Sequence, residues 1–558
     1  QPETRSAQLQ GHYQLQNRSN RPIHEIFIHI NDQITIQQME FDRSSKLQLA
    51  DTKLGFYTYK LETPLAPNDS MALDFKLAIA PKGKFGLGSE TGIIGNGTFI
   101  NNHAFMPHIG YQEDAELSEE RDRKKHGLPA KERKLAREDA RGLANNYISN
   151  DADWITFDAT VSTSPDQIAL APGYLEKEWQ ANGRRYFHFK MDKPILNFFA
   201  VQSARYAVKK DRWKDVPIEI YYQAGHEYNL NRMISGVQQS LDYYTQNFSP
   251  YQHKQVRIVE FPRYAAFAQA FPNTIPYSEA IGFIAKVNDQ DVKDVDYPFY
   301  VTAHEMAHQW WAHQVIAGNT RGATVLSETL SQYSALMVMK KRYGEAKMRR
   351  FLSYELDNYL MGRATESKKE LPLGHNEDQG YIHYRKGSLV MYLLQDLIGE
   401  DKVNAALREV IAKHAVQGPP YPSAKVLIDE LRKVTPTEMA YVLDDAFEHI
   451  VIYENRAISA SSKPLAKGQY EVSIKVNAGK LRATEQGEEK TASMRDWVDI
   501  GVDDAAGKPL LRQRKLMAAG EQSFTVVVNG EPAKAGIDPD NKLIDRKPDD
   551  NLVRVDTK

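Results

Sequence analysis

The chain has 558 residues, a formal net charge of −2 and a charged fraction of 26%, so no whole-chain bias favours nucleic acid or an acidic lipid surface. It contains no cysteine, which excludes disulfides, thiolate metal ligands and a cysteine nucleophile. No run of about eighteen apolar residues is available to span a bilayer, and the length predicts about two to four domains.

Residues 1–220 predict strands. Ile23 to Ile30, Phe56 to Leu61 and Tyr186 to Lys190 are rich in β-branched and aromatic residues, with turn signals at Pro67-Asn68-Asp69 and Asn182-Gly183. Inside this region, Glu113 to Arg141 is dense in both charge signs. It predicts a solvated, partly helical insertion at about 113–141 laced with i,i+4 pairs. Residues 221–452 turn helical, beginning with Leu230 to Phe248 and ending with the amphipathic stretch Ala405 to His449. Strands return over 453–558, where Tyr470 to Val476 alternates and Ser523 to Val528 is a β-branched run, and this length suits a small β-sandwich. Gln1 opens the chain without a methionine or a signal-like apolar stretch, which leads us to expect a processed or excised piece.

The helical region holds His304-Glu305-Met306-Ala307-His308. On a helix the two histidines project from one face about a turn apart, so both can meet one zinc ion. Glu305 then stands beside the metal, where it can take a proton from a water. Ala303 to Ala312 includes no Gly or Pro, which predicts a helix throughout. A pair of core histidines on a buried helix is the plain alternative.

A catalytic zinc site needs a third ligand. An extended His-Glu-x-x-His-x-x-Gly-x-x-His pattern fails, because Trp311 and Gln314 occupy its Gly and last His positions. His313 points away from the metal face of a continuous helix. Between His308 and Glu345 the one acidic residue is Glu328. It follows the turn-forming Ala317 to Gly322 and opens a second helix, for which Thr324 or Ser327 can cap. His304, His308 and Glu328 are therefore the predicted ligands.

At this point the chain resembles the aminopeptidase N family of gluzincin zinc peptidases. That family places its ligand Glu after eighteen residues from the second His; here Gln309 to Ser327 makes nineteen. Its Gly-x-Met-Glu-Asn segment has a degraded counterpart in Pro276-Tyr277-Ser278-Glu279-Ala280. By this resemblance Glu279 would bind the α-amine of the substrate. The family's Tyr-x-Lys-Gly, opening a helix, matches Tyr384-Arg385-Lys386-Gly387. The resemblance thus makes Tyr384 the donor to the oxyanion, with Tyr381 a structural neighbour.

The resemblance implies a multi-domain α+β chain: an N-terminal β domain (1–220), a thermolysin-like, mainly helical catalytic domain (221–452) and the C-terminal β-sandwich (453–558). It implies one Zn²⁺ per chain and peptide substrates with a free N-terminus, with Asn96 to Asn102 near the first specificity pocket. In detail the chain is most similar to the soluble peptidase region of bacterial ABC-permease fusion proteins, which implies a soluble domain tethered to a membrane permease region. The rival expectations are a zinc endopeptidase on the same site and a catalytically silent binding or regulatory module tied to a transporter.

Overall fold

A computed structural model describes residues 1–81, 92–291, 294–366 and 368–557. The chain begins as paired antiparallel strands. Ala7–Gln16, Ser70–Ile79 and Ile34–Phe41 form one three-stranded sheet, and Ser45–Asp51, Phe56–Leu65, Ile23–His29 and His108–Ile109 form a four-stranded one. Ala7–Gln16 alternates half-buried and exposed positions along its whole length, as the two-residue period of a strand requires. Ile28, Leu73, Phe75 and Leu77 meet Phe187 and Phe189 from a later sheet in one core.

The mixed sheet that backs the helical region begins before residue 220. Strands β1 (Ala207–Trp213) and β2 (Val216–Tyr222) form a hairpin, and β2 continues in parallel with β3 (Val256–Phe261), which pairs in parallel with β4 (Thr274–Ser278). A division at residue 220 cuts through this sheet, because strand composition does not reveal which sheet a strand joins. Residues 267–271 close the sheet's outer edge: Ala268 bridges Tyr277 and Phe271 bridges Thr274, both antiparallel.

Against this sheet lie α1 (Leu230–Asn247), α2 (Tyr297–Ala307) and α3 (Glu328–Tyr343), followed by α4 (Met348–Thr365) and α5 (Gly387–Ile398). Val237, Leu241, Ile258, Phe299, Trp310 and Leu336 share one apolar core, and burying it supplies the main drive for packing helices on sheet. The C-terminal strands start at Ile450. Seven of them form a sheet whose halves meet at Leu552–Thr557, and Val472, Ile474, Val498 and Ile500 from the two halves share a core. No helix among the described residues is long and apolar enough to cross a membrane.

The charged segment divides into two unlike parts. Glu120–Lys125 is a short helix with a Lys124–Glu120 pair at 2.7 Å, the i,i+4 contact expected of it. Residues 133–147, by contrast, are laid against the helical domain. Arg133 pairs with Glu377 at 3.0 Å, Arg137 with Glu448 at 2.7 Å, and Lys134 with Asp378. Its charges hold a strap in place rather than face solvent alone.

Candidate metal centre

Helix α2 starts where the Asp296 side chain accepts a hydrogen bond from Phe299 N, with a proline in the first turn, two standard start signals. It ends at Ala307, with His308 as its cap at φ −60°, ψ −19°. The helix expected to run to Ala312 therefore stops five residues early. Trp310 and Trp311 are both wholly buried, and Ala312 takes φ 129°, a strained setting for an L residue. His308 N still bonds His304 O at 3.2 Å, so the histidines keep their four-residue spacing on one face.

The chain returns through Gly322 (φ 78°) and the turn Ala323–Val325 into α3, whose first residue is Glu328. Nε2 of His304 and of His308 lie 3.0 Å apart. Glu328 Oε2 lies 3.4 Å from the first and 3.2 Å from the second. A tetrahedral zinc ion with bonds of about 2.0–2.1 Å separates its ligand atoms by roughly 3.3 Å, so this triangle fits that ion.

The protonation pattern fits as well. His308 Nδ1–H donates to Trp311 O at 2.8 Å, with Ser331 Oγ 3.0 Å away. This fixes the ring so that Nε2 faces the centre, where a metal ion would displace its proton. Glu328 Oε2 and Glu305 Oε2 are buried without a hydrogen bond. Burial alone would depress the His308 imidazole, but Glu328 outweighs it and carries the pKa up to about 9. Such a negative, half-satisfied hollow is what a cation neutralises.

Glu305 is buried next to the triad, and burial raises its pKa while His304 and His308 partly offset the rise. Tyr384 faces it from another element. Residues Tyr381–Lys386 form one wide π-helical turn ahead of α5, a device often found at functional sites. Arg385 pairs with the fully buried Glu355 at 3.0 Å, and Tyr381 stacks on Tyr359. Gly387 lets this turn press on α3: a Cβ there would fall 2.5 Å from Thr329 Oγ1, a closeness only glycine permits. Thr329 Oγ1 donates to His383 O at 2.6 Å. The Tyr384 ring thus lies 5.7 Å from that of His304. Burial, then Glu328 and Glu305, pushes its hydroxyl pKa far up, so it stays a donor.

Glu279 is not gathered into this constellation. It lies with His226 and Glu260 in a second cluster, 3.9 Å from His226 Nδ1 and 3.8 Å from Arg263 Nε. The backbone that meets Glu305 is that of Ala270, whose carbonyl also holds His313 Nε2 at 2.9 Å. The edge register sets Ala270 opposite Ile275. Glu279 lies four residues further on, in the turn just past the end of that strand. The assignment of Glu279 as amine anchor therefore rests on the motif likeness alone, and the bridged segment at 267–271 left no signal in the sequence. Sequence reasoning also passed over Tyr147, whose hydroxyl donates to Ser327 Oγ at 2.7 Å. As one of 29 tyrosines it carried no pattern by which to find it.

Residues 232–443 match the peptidase family M1 domain. Aminopeptidase M1 of Arabidopsis thaliana is 23% identical over 275 residues, covering 47% of this chain and 30% of that relative. Endoplasmic reticulum aminopeptidase 2 of Homo sapiens is 22% identical over 205 residues, covering 36% and 21%. The chain thus spans less than a third of either relative. A mutant M1 zinc metallopeptidase from Deinococcus radiodurans bound to a Tyr-Ser-Ala substrate shares the fold, with a TM-score of 0.53 at 15% identity over 79% of this chain and 90% of that one.

Proposed function

We propose that this chain, whose residues 232–443 belong to peptidase family M1, is a zinc-dependent aminopeptidase acting on peptides. The observation that carries the reading is the convergence of three ligand atoms, 3.0–3.4 Å apart, beside one buried carboxylate and one half-buried phenol. The restriction to N-terminal residues is supported by the named relatives.

His304, His308 and Glu328 would hold the ion. Zinc, when bound, supplies Lewis acidity that acidifies a water and polarises a carbonyl. Glu305 accepts the proton of the attacking water at its free Oε2 and later passes it to the leaving amine. Its raised pKa suits both halves of that task. The Tyr384 hydroxyl donates to the oxygen on which negative charge grows, a contact that strengthens only in the transition state. His308 Nδ1 keeps its proton on Trp311 O and so holds the ring in place.

The further proposal that the chain is tethered to a membrane permease region rests on resemblance, and fractionation of membranes from cells expressing the full-length protein would test it. For the peptidase itself, the test is hydrolysis of aminoacyl-arylamides, free and N-acetylated, with metal content measured on the same sample. Cleavage of the free series by a one-zinc protein is the expected result. Zinc bound with neither series cleaved would overturn the enzymatic reading.

A further inference from the structure

We propose that Tyr147, delivered by the strap that reaches over from the N-terminal β domain, is a positioning residue for the metal ligand Glu328 and acts through Ser327. The inference rests on the metal-centre reading above. The strap is docked by backbone as well as by charge. Asn319 N donates to Gly142 O at 2.9 Å and to Asn145 O at 2.8 Å, and Tyr147 N donates to Ala317 O at 3.1 Å. Contact is close enough that a Cβ on Gly142 would sit 2.5 Å from Thr320 Cγ2. All three contacts fall on residues 317–320, within the connection that carries the chain from His308 to Glu328. The strap therefore braces the stretch of chain that sets the distance between the ligands.

Its last contact is the most pointed. Ser327 precedes Glu328 in the position where a helix-capping hydroxyl would turn back onto α3, yet it makes no capping bond. Its hydroxyl accepts from Tyr147 instead, and the residue is buried. The start of α3 is consequently pinned by three hydroxyls: Ser331 at His308, Thr329 at His383 O, and Ser327 at Tyr147. The donors that meet the Glu328 carboxylate, His304, His308 and Tyr384, all belong to the metal hollow itself, so the backbone from which the carboxylate is aimed is set by this first turn. Outer contacts of this kind orient metal ligands, and their loss typically costs about 10- to 100-fold in metal affinity or activity. Tyr147 is also close enough to Glu328 for that carboxylate, after burial, to raise the phenol's pKa, which keeps it a donor.

The experiment uses the zinc-loaded full chain and follows zinc release to a chromophoric chelator for Tyr147→Phe, Ser327→Ala and the double variant, with melting curves and turnover alongside. Phenylalanine keeps the ring packed and removes only the hydroxyl, while Ser327→Ala removes the same bond from its other end. Each single variant is expected to weaken zinc binding about tenfold, to lower kcat more than it raises KM, and to leave the melting temperature of the N-terminal strands unchanged. The double variant should be no worse than either single one, because both break one coupling. Zinc affinity of Tyr147→Phe equal to the wild type, or full additivity in the double variant, would overturn the inference while leaving the metal centre intact. A wild-type chain that takes up no zinc would overturn both.

Discussion

Among the described residues two clusters of histidine and carboxylate lie within one domain, and we propose only the first as the metal site. His304, His308 and Glu328 come within 4.8 Å of one another, and so do His226, Glu260 and Glu279. The difference is in what each leaves unsatisfied. In the second cluster His226 Nδ1 bonds Glu260, Gln223 N donates to the other Glu260 oxygen at 2.6 Å, and Arg263 lies near Glu279. Its polar atoms answer one another. In the first, two imidazole nitrogens and a carboxylate oxygen converge on one point, and Glu328 Oε2 and Glu305 Oε2 are buried without a hydrogen bond. Proximity of ligand-type residues is common; a buried deficit of positive charge is the informative signal.

The comparison is broken most directly by removing members of each cluster and measuring zinc. His304→Ala and Glu328→Ala should abolish stoichiometric zinc and all turnover, whereas Glu260→Gln should retain both; zinc lost from the last variant would reverse our ranking. Next in size is Glu305→Ala, expected to keep its zinc and lose at least about a hundredfold in kcat. A fully active Glu305→Ala enzyme would sink the proton-transfer role.

A third test concerns histidines that join neither cluster. Burial pushes His253 down to about 3 and His313 to about 4. The unfolded chain, with histidine pKa near 6.5, therefore binds more protons than the folded one between those values and 6.5. Their stabilisation is present in full above about pH 6.5 and is lost as pH falls towards 4, by roughly 3 kcal/mol for each group. His253 has no hydrogen-bond partner at either nitrogen, so His253→Leu should flatten the acid limb of a melting-temperature profile. An unchanged slope would show that His253 is not held neutral. The smallest effect is expected from Glu279→Ala, whose KM for free-amine substrates should stay within about twofold of the wild type. A large rise confined to free-amine substrates would restore Glu279 as an amine anchor.

The readable parts of this chain share a physical reason. A four-residue histidine spacing reports a helix face directly, and Glu328 stood out because no other carboxylate separates His308 from Glu345. The division into strands, helices and strands was visible because its periods differ. What stayed hidden depends on pairing between distant segments. Residues 267–271 bridge back onto β4 through a tight turn, and this register, not composition, brings the Ala270 backbone to Glu305. The strap at 133–147 looked like solvated charge because its acidic partners, Glu377, Asp378 and Glu448, lie more than two hundred residues away.

The wide turn at Tyr381–Lys386 has a consequence for how this protein can vary. A π turn carries one more residue than an α turn of the same span, so the direction of the Tyr384 hydroxyl is set by a residue count. Point substitutions within it change packing but leave that count unchanged. Deleting a single residue between Tyr384 and α5 would instead rewind the turn and swing the phenol by about 100° around the helix axis, away from Glu328. Among natural variants, insertions and deletions in these six positions should therefore separate active from inactive chains more sharply than substitutions do.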